Sequence, residues 1–299
     1  MKHLLLAAAL SFSMLSAHAA DANYNVVPLP KSVVMVKGQP FNLTSATTIV
    51  YEGTNPEMKR NARFLSEYIQ QSTGIKTTLL DKRDKKAAAI VLVINPKVQG
   101  DEAYRLTVNN KQVTIAASTP AGVFYGIQTL RKSLPVQTNG ADITLPAVDI
   151  ADAPRFGYRG MMLDCGRHFF PVSFVKKFID ILAMHNMNVF HWHLTEDQGW
   201  RLEIKSHPEL TAKSSMRSGT VIGHNATVDD SIPHGGFYTQ QEARDIVEYA
   251  RQRHITVIPE IDMPGHTLAA LAAYPELGCT GGPYEVGHRL GVYKDVLCL

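Results

Sequence analysis

The apolar positions of this chain change their period several times, and each change marks an element. Between residues 55 and 73, Ala62, Leu65 and Ile69 recur at helical spacing beside Phe64 and Tyr68. Gly74 follows where a helix would close, so an amphipathic helix is predicted there. Residues 90–94 form a continuous apolar run, while 104–108 and 113–117 alternate around Asn109-Asn110-Lys111, the pattern of strands joined in a hairpin. Thr119-Pro120 has the form of an N-cap followed by proline at the first helical position. It opens a helix through about Lys132 with Phe124, Ile127 and Leu130 available to pack. Pro135, Pro146 and Pro154, with Asn139-Gly140 between them, then punctuate a connection. Residues 21–150 are therefore expected to form a small accessory α/β domain of helices packed on a sheet.

From residue 151 onward the pattern is different. Three strand-like runs, RGMMLDCGRHF at 159–169, NVFHWHLTEDQGW at 188–200 and ITVIPEIDMPGH at 255–266, each end in polar and charged residues. Helical stretches lie between them. Ser173 is placed to cap a helix whose Phe174, Phe178, Ile181 and Leu182 face inward, with Asn186 as its terminator. Thr239 and Glu242 make a capping box before Ala243, Ile246, Val247 and Ala250. The long stretch between Trp200 and Thr239 is rich in Ser, Gly, Thr and His, as loops that shape a substrate mouth are. Strands alternating with helices, and releasing polar groups at their C-terminal ends, are the units of a (β/α) barrel. A complete eight-unit barrel takes about 250 residues, and residues 151–299 have room for about the first three units. The expectation is an α/β protein: an accessory α/β domain followed by an incomplete (β/α)8 TIM barrel, the front part of a longer protein.

Composition narrows the function classes. The chain is 45% hydrophobic and 19% charged with a formal net charge of +3, so nothing suggests nucleic acid as a partner. Residues 1–20 stand apart, because Lys2 and His3 precede an apolar stretch from Leu4 to Leu15, and Ala17-His18-Ala19 offers a small-x-small cleavage site. This is expected to be a secretory signal peptide, too short to span a bilayer comfortably, followed by no longer apolar segment. A periplasmic or secreted protein without membrane insertion after cleavage follows. Of the three cysteines, Cys165 falls within a barrel strand as a small buried residue, whereas Cys279 and Cys298 flank a Gly-rich stretch and are candidates for a disulfide. None has the spacing of a zinc site.

The candidate chemistry lies at the strand ends. Arg167 offers a fixed fork of donors suited to vicinal hydroxyls or a carboxylate; the alternative is a structural ion pair to Asp164 or Glu196. Glu196 and Asp197 are adjacent, and neighbours on an extended segment point to opposite sides. At most one should face a pocket unless the backbone turns, and Asp197 is the choice. His191 and His193 share one side of their strand, a spacing that would serve a metal with Asp164, Asp262 or His266 completing the set, or that would simply pack two rings. Glu260 and Asp262 alternate on the third strand, and Pro264-Gly265 turns the chain before His266. A carboxylate four residues away can orient that ring and raise its basicity.

Taken together, D-C-G-R-H-F-F at 164–170, H-W-H-L-T-E-D-Q-G-W-R at 191–201 and P-E-I-D-M-P-G-H at 259–266 resemble the successive strand signatures of glycoside hydrolase family 20, the β-N-acetylhexosaminidases. The leading domain, especially G-V-F-Y-G-I-Q-T-L at 122–130, is similar to that family's accessory domain. The resemblance implies hydrolysis of terminal non-reducing N-acetyl-D-hexosamine residues, with the substrate's own 2-acetamido oxygen attacking the anomeric carbon. It implies no cofactor and no metal, and glycans carrying N-acetylglucosamine or N-acetylgalactosamine as partners. Arg167 would bind the sugar hydroxyls, with Asp197 and Glu196 in the surrounding polar network, and Asp262 with His266 would form a relay supporting the general acid. The acid and the residue that orients the acetamide are, in that family, an adjacent Asp-Glu pair at the end of the next barrel strand, and no such pair follows His266. The chain alone is accordingly expected to be inactive. Two other readings stay open: a non-catalytic amino-sugar-binding protein, and a metal-dependent hydrolase or deacetylase using His191 and His193.

Overall fold

The computed structural model describes residues 20–298 apart from 52, 85–86, 137, 224–227 and 290. Residues 1–19, and with them nearly all of the expected signal peptide, lie outside the described residues.

The first half is built on a seven-stranded mixed sheet. Its strands are β1 (Ser32–Met35), β2 (Thr48–Tyr51), β3 (Thr78–Leu80), β4 (Ala89–Ile94), β5 (Tyr104–Asn109), β6 (Gln112–Ala117) and β7 (Val148–Asp152). They lie side by side in the order β1-β7-β5-β6-β4-β2-β3. The apolar run of 90–94 becomes β4, parallel to β2 on one side and β6 on the other. A strand paired on both edges and covered on its face needs no polar alternation. The alternating pair becomes the antiparallel hairpin β5–β6, with Tyr104 opposite Ala117.

Helices α1 (Pro56–Thr73) and α2 (Pro120–Ser133) cover one face of this sheet. Asn55 caps α1, its side chain accepting from the backbone N–H of Glu57 at 2.8 Å, and Gly74 closes it at a φ of 82°. Thr119 caps α2 through Gly122 N at 3.1 Å. Gly122 and Gly126 let α2 sit directly on the sheet: a Cβ at Gly122 would stand 2.4 Å from the Ala103 carbonyl oxygen, and one at Gly126 would stand 2.5 Å from Ile115.

The second half holds a three-stranded parallel sheet of β8 (Gly160–Asp164), β9 (Val189–His193) and β10 (Thr256–Glu260), in that order. Helix α3 (Val172–Met184) connects β8 to β9. A long loop containing the single turn α4 (Glu209–Ala212), then α5 (Gln240–Arg251), connects β9 to β10. The capping box of Thr239 and Glu242 is present. Two helical expectations need correction. Helix α3 starts at Val172 with Pro171 at its N-cap position, so Ser173 lies inside the helix rather than capping it. Its buried face is Val175, Ile179, Leu182 and Ala183, leaving Phe174 and Ile181 exposed. The apolar residues of α3 encircle more than one face, so periodicity alone did not choose the stripe.

The two halves share one apolar core, in which Phe124 of α2 meets the His254 ring that precedes β10. Beside it Arg159, just before β8, donates to both carboxylate oxygens of Glu102 at 2.9 and 3.1 Å, and Asn188 donates to Glu102 at 3.3 Å.

Candidate functional site

The strand register sets the site. Asp164 lies opposite His193, which lies opposite Glu260, so the C-terminal ends of β8, β9 and β10 present an acid, an imidazole and an acid in one row. Each strand then turns. After β9, Thr195 and Glu196 pair with Gly199 and Trp200 in a tight antiparallel turn. After β10, Pro264 and Gly265 lead to His266 at a φ of 57°, followed by the short helix α6 (Leu268–Ala273).

Arg167 curls back over the end of β8. Its backbone N–H and its Nη1 donate to the two oxygens of Asp164 at 2.9 and 2.7 Å, and its Nη2 forms an ion pair with Glu196. The Arg167 side chain keeps 37% of its surface open, whereas the Glu196 side chain keeps 1%. Of the two roles posed as alternatives by the sequence, the structure shows the ion pair, to both Asp164 and Glu196, and leaves part of the guanidinium exposed. Gly166 permits this, because a Cβ there would stand 2.9 Å from that of Glu196.

Glu196 and Asp197 do not face opposite ways. The tight turn brings both to His266, whose Nδ1 lies 3.0 Å from Glu196 Oε2 and 3.4 Å from Asp197 Oδ2. Asp197 is itself held by the backbone N–H of Leu268 at 3.0 Å. With two carboxylates before it, Nδ1 holds a proton toward them, while Nε2 has no partner among the described residues. The relay expected between Asp262 and His266 is therefore corrected. Asp262 reaches this centre through its backbone N–H, which donates to Thr195 Oγ1 at 3.1 Å, and its carboxylate makes no bond to His266.

Sequence reasoning placed Glu260 on the third strand but gave it no role in the site. It accepts from His191 Nε2 at 2.5 Å and from His193 Nδ1 at 2.8 Å with the same oxygen. The signal was available, since H-x-H and E-x-D on paired strands bring these groups to one face once the register is known. Burial would lower the His193 pKa, but the Glu196 carboxylate 3.4 Å from its Nε2 and the hydrogen bond to Glu260 outweigh it and raise the value to about 9. Burial pushes the Glu196 carboxyl upward, yet His193, the Asp197 N–H and Arg167 together hold it below the usual range. Asp197 moves the other way, raised by burial. Adjacent carboxyls in one site are thus pushed apart in acidity, the arrangement from which different proton roles arise.

A cation would find ligand atoms of Glu196, Asp197 and His266 within 4.8 Å of one another. Those atoms are already engaged by Arg167 and by each other, and His191 and His193 turn to Glu260 instead. Cys165 is fully buried, as expected of a small residue there, but it lies just past the end of β8 rather than within it. Cys279 and Cys298 are exposed free thiols, so the expected disulfide is not formed here; the two groups lie within hydrogen-bonding reach of each other across the Gly278–Leu297 bridge. A separate cavity of about 510 Å³ lies at the seam between the halves, lined by Tyr125, Phe156 and Arg159 among others, and borders none of the site residues.

Two family models match the chain. Glycosyl hydrolase family 20, domain 2, covers residues 23–153, and glycosyl hydrolase family 20, catalytic domain, covers residues 156–298. A β-hexosaminidase of Porphyromonas gingivalis is 40% identical over 284 residues, which is 93% of this chain and 35% of that protein. A β-N-acetylhexosaminidase of Cellulomonas fimi is 36% identical over 87% of this chain and 50% of its own length. Among solved structures, the family 20 β-N-acetylhexosaminidase of Streptomyces coelicolor A3(2) superposes with a TM-score of 0.79 at 37% identity, covering 92% of this chain and 53% of that one. The N-acetyl-β-hexosaminidase of Streptomyces plicatus in complex with Thio-NAglucal gives 0.78 at 37% identity, with the same coverage. The chain spans about a third to a half of the length of these relatives.

Proposed function

Because the chain belongs to glycosyl hydrolase family 20, we propose that its barrel strand ends hold the terminal non-reducing N-acetylhexosamine of a β-N-acetylhexosaminide, as part of a retaining glycosidase in which the substrate's own acetamide attacks. The observation that carries this reading is the convergence of Arg167, Glu196, Asp197 and His266. A guanidinium anchored by Asp164 and Glu196 keeps donors free for vicinal sugar hydroxyls. Asp197 and Glu196 fix the His266 tautomer, and the ring's unpartnered Nε2 is the atom through which it would support a general acid.

In such catalysis the acetamido oxygen supplies the nucleophile, so the protein needs an acid for the departing oxygen and a group that orients the acetamide. These 299 residues carry the grip and the relay, but no adjacent Asp-Glu pair follows His266. The only Asp-Glu sequence, Asp101-Glu102, sits in the first half, where Glu102 is bound to Arg159. We therefore expect this chain by itself to bind N-acetylglucosamine without hydrolysing a chromogenic N-acetylglucosaminide. The leader-like residues 1–20 support export to the periplasm or medium, which sequencing of the mature N-terminus tests.

Titration of the purified chain with N-acetylglucosamine, alongside Arg167→Ala, tests the reading. Binding in the parent and its loss by about 10- to 100-fold in the variant is expected from removing charged hydrogen bonds. Equal binding by both proteins rules the reading out. Turnover by the chain, abolished in Arg167→Ala, would overturn the expectation of inactivity while keeping the substrate class.

A further inference from the structure

Arg201 is fully buried, yet none of its partners is a carboxylate. Its Nε donates to the carbonyls of Cys165 and Gly166 at 3.2 and 3.3 Å. Nη2 donates to Gly166 and Gln198, both at 3.0 Å, and Nη1 to Ser215 and Gly236 at 2.5 and 3.3 Å. A charge taken out of water is expensive unless its donors are all met, and here main-chain oxygens from separate loops meet them. The Arg201 backbone is pinned on both sides, its N–H to Leu194 O at 3.0 Å and its carbonyl to Tyr238 N at 2.8 Å, so the guanidinium has a fixed reach.

A second buried arginine continues the pattern. Arg217 donates Nη1 to the carbonyl of Arg167 itself, Nη2 to Thr220 Oγ1 at 3.0 Å and Nε to Gly219 O at 3.1 Å. The carbonyls of residues 165, 166 and 167 are thus all held by two guanidiniums anchored elsewhere. Those three residues are the backbone that launches the Arg167 side chain.

The glycines fit the same arrangement. A Cβ at Gly199 would stand 2.1 Å from Arg201 Cζ, so the small residue makes the space that the guanidinium fills. A Cβ at Gly235 would stand 2.0 Å from the carbonyl oxygen of Ser215, itself held by Arg201.

We propose that Arg201 and Arg217 are positioning residues for the sugar grip: they fix the 165–167 carbonyls and so aim Arg167 at the substrate hydroxyls. This rests on the sugar-binding role given to Arg167. A lysine at either position keeps the charge but presents a compact ammonium with three donors instead of a planar fork, and Gly199→Ala displaces the Arg201 guanidinium without altering any charge.

The test compares the parent chain with Arg201→Lys, Gly199→Ala and Arg217→Lys, using two readouts on proteins shown to be folded by thermal unfolding. The first is the Nε–Hε signal of Arg167 in nitrogen-labelled protein, assigned by its loss in Arg167→Ala. The second is the dissociation constant for N-acetylglucosamine. In the folded variants the Arg167 signal should broaden or move, and binding should weaken by about tenfold or more, as misplacement of a gripping group does. An Arg167 signal unchanged in a folded variant overturns the proposal, whatever the binding. Should the parent fail to bind the sugar, the sugar reading falls alone and the Arg167 signal still decides whether these residues position it. If Arg201→Lys and Gly199→Ala do not fold, Arg217→Lys, which releases the Arg167 carbonyl directly, is measured in the same two ways, and an Arg167 signal that stays in place there overturns the proposal equally.

Discussion

His193 donates its Nδ1 proton to Glu260 at 2.8 Å, across adjacent parallel strands and within the row of charged groups that closes the sheet. His193 Nε2 also lies 3.4 Å from Glu196, so one imidazole stands between two carboxylates. The pair makes this part of the structure sensitive to pH on both sides. His193 has a folded pKa of about 9, above its ordinary 6.5, so its contribution is complete below pH 6.5 and is lost as pH rises through about 9. Glu196 and Glu260 are held below their ordinary 4.5, so their contributions are present above that value and fade as pH falls through the lowered ones. The thermal midpoint should therefore decline between pH 6.5 and 9, and His193→Gln should flatten that decline. Identical slopes in parent and variant would remove His193 as the cause.

The partner of His266 can be tested directly. Its Nδ1 faces Glu196 and Asp197, while the Asp262 carboxylate takes no part. Asp197→Asn should shift the ring-nitrogen resonances of His266, and Asp262→Asn should leave them in place. The reverse pattern would restore the local relay that spacing suggested.

Cys279 and Cys298 face each other as thiols. Under oxidising conditions they should form a bond, seen by non-reducing mass spectrometry. It should raise stability by roughly 3 kcal/mol through the loop it closes, and Cys298→Ser should abolish that gain. A bonded pair with no change in the thermal midpoint would mean that the segment between them is already held.

Gly122 is a close approach of α2 to the sheet. Gly122→Ala drives a methyl group into the Ala103 carbonyl and the Ala117 side chain, and should cost about 1–3 kcal/mol by overpacking. Denaturant unfolding measures this, and a neutral or stabilising result would show that the helix can lift without penalty.

Much of this was legible in the sequence for identifiable reasons. Caps such as Gly74, Thr119 and Thr239 act within one turn, so their effect is local and readable. The strand runs carried their polar ends with them, which located Arg167, Asp197 and His266 near one rim. What could not be read was side-chain direction after each strand stopped being straight. The turn at 195–200 put Glu196 and Asp197 on the same ring, contrary to strand alternation, and Asp262 lost His266 to residues far earlier in the chain. Arg201 was hidden for a similar reason: its partners are carbonyls, which no residue type announces.

The join between the halves has a practical corollary. Glu102 comes from the first half, and it neutralises an arginine and satisfies an asparagine at the foot of the barrel strands. Cutting the molecule near residue 155 would strand a guanidinium on one fragment and a carboxylate on the other, and would strip Phe124 from the His254 ring. The leading half behaves less like a detachable module than like the floor on which the rim of strand ends is levelled, so transplanting it between relatives should demand that Glu102, Arg159 and Asn188 travel as a set.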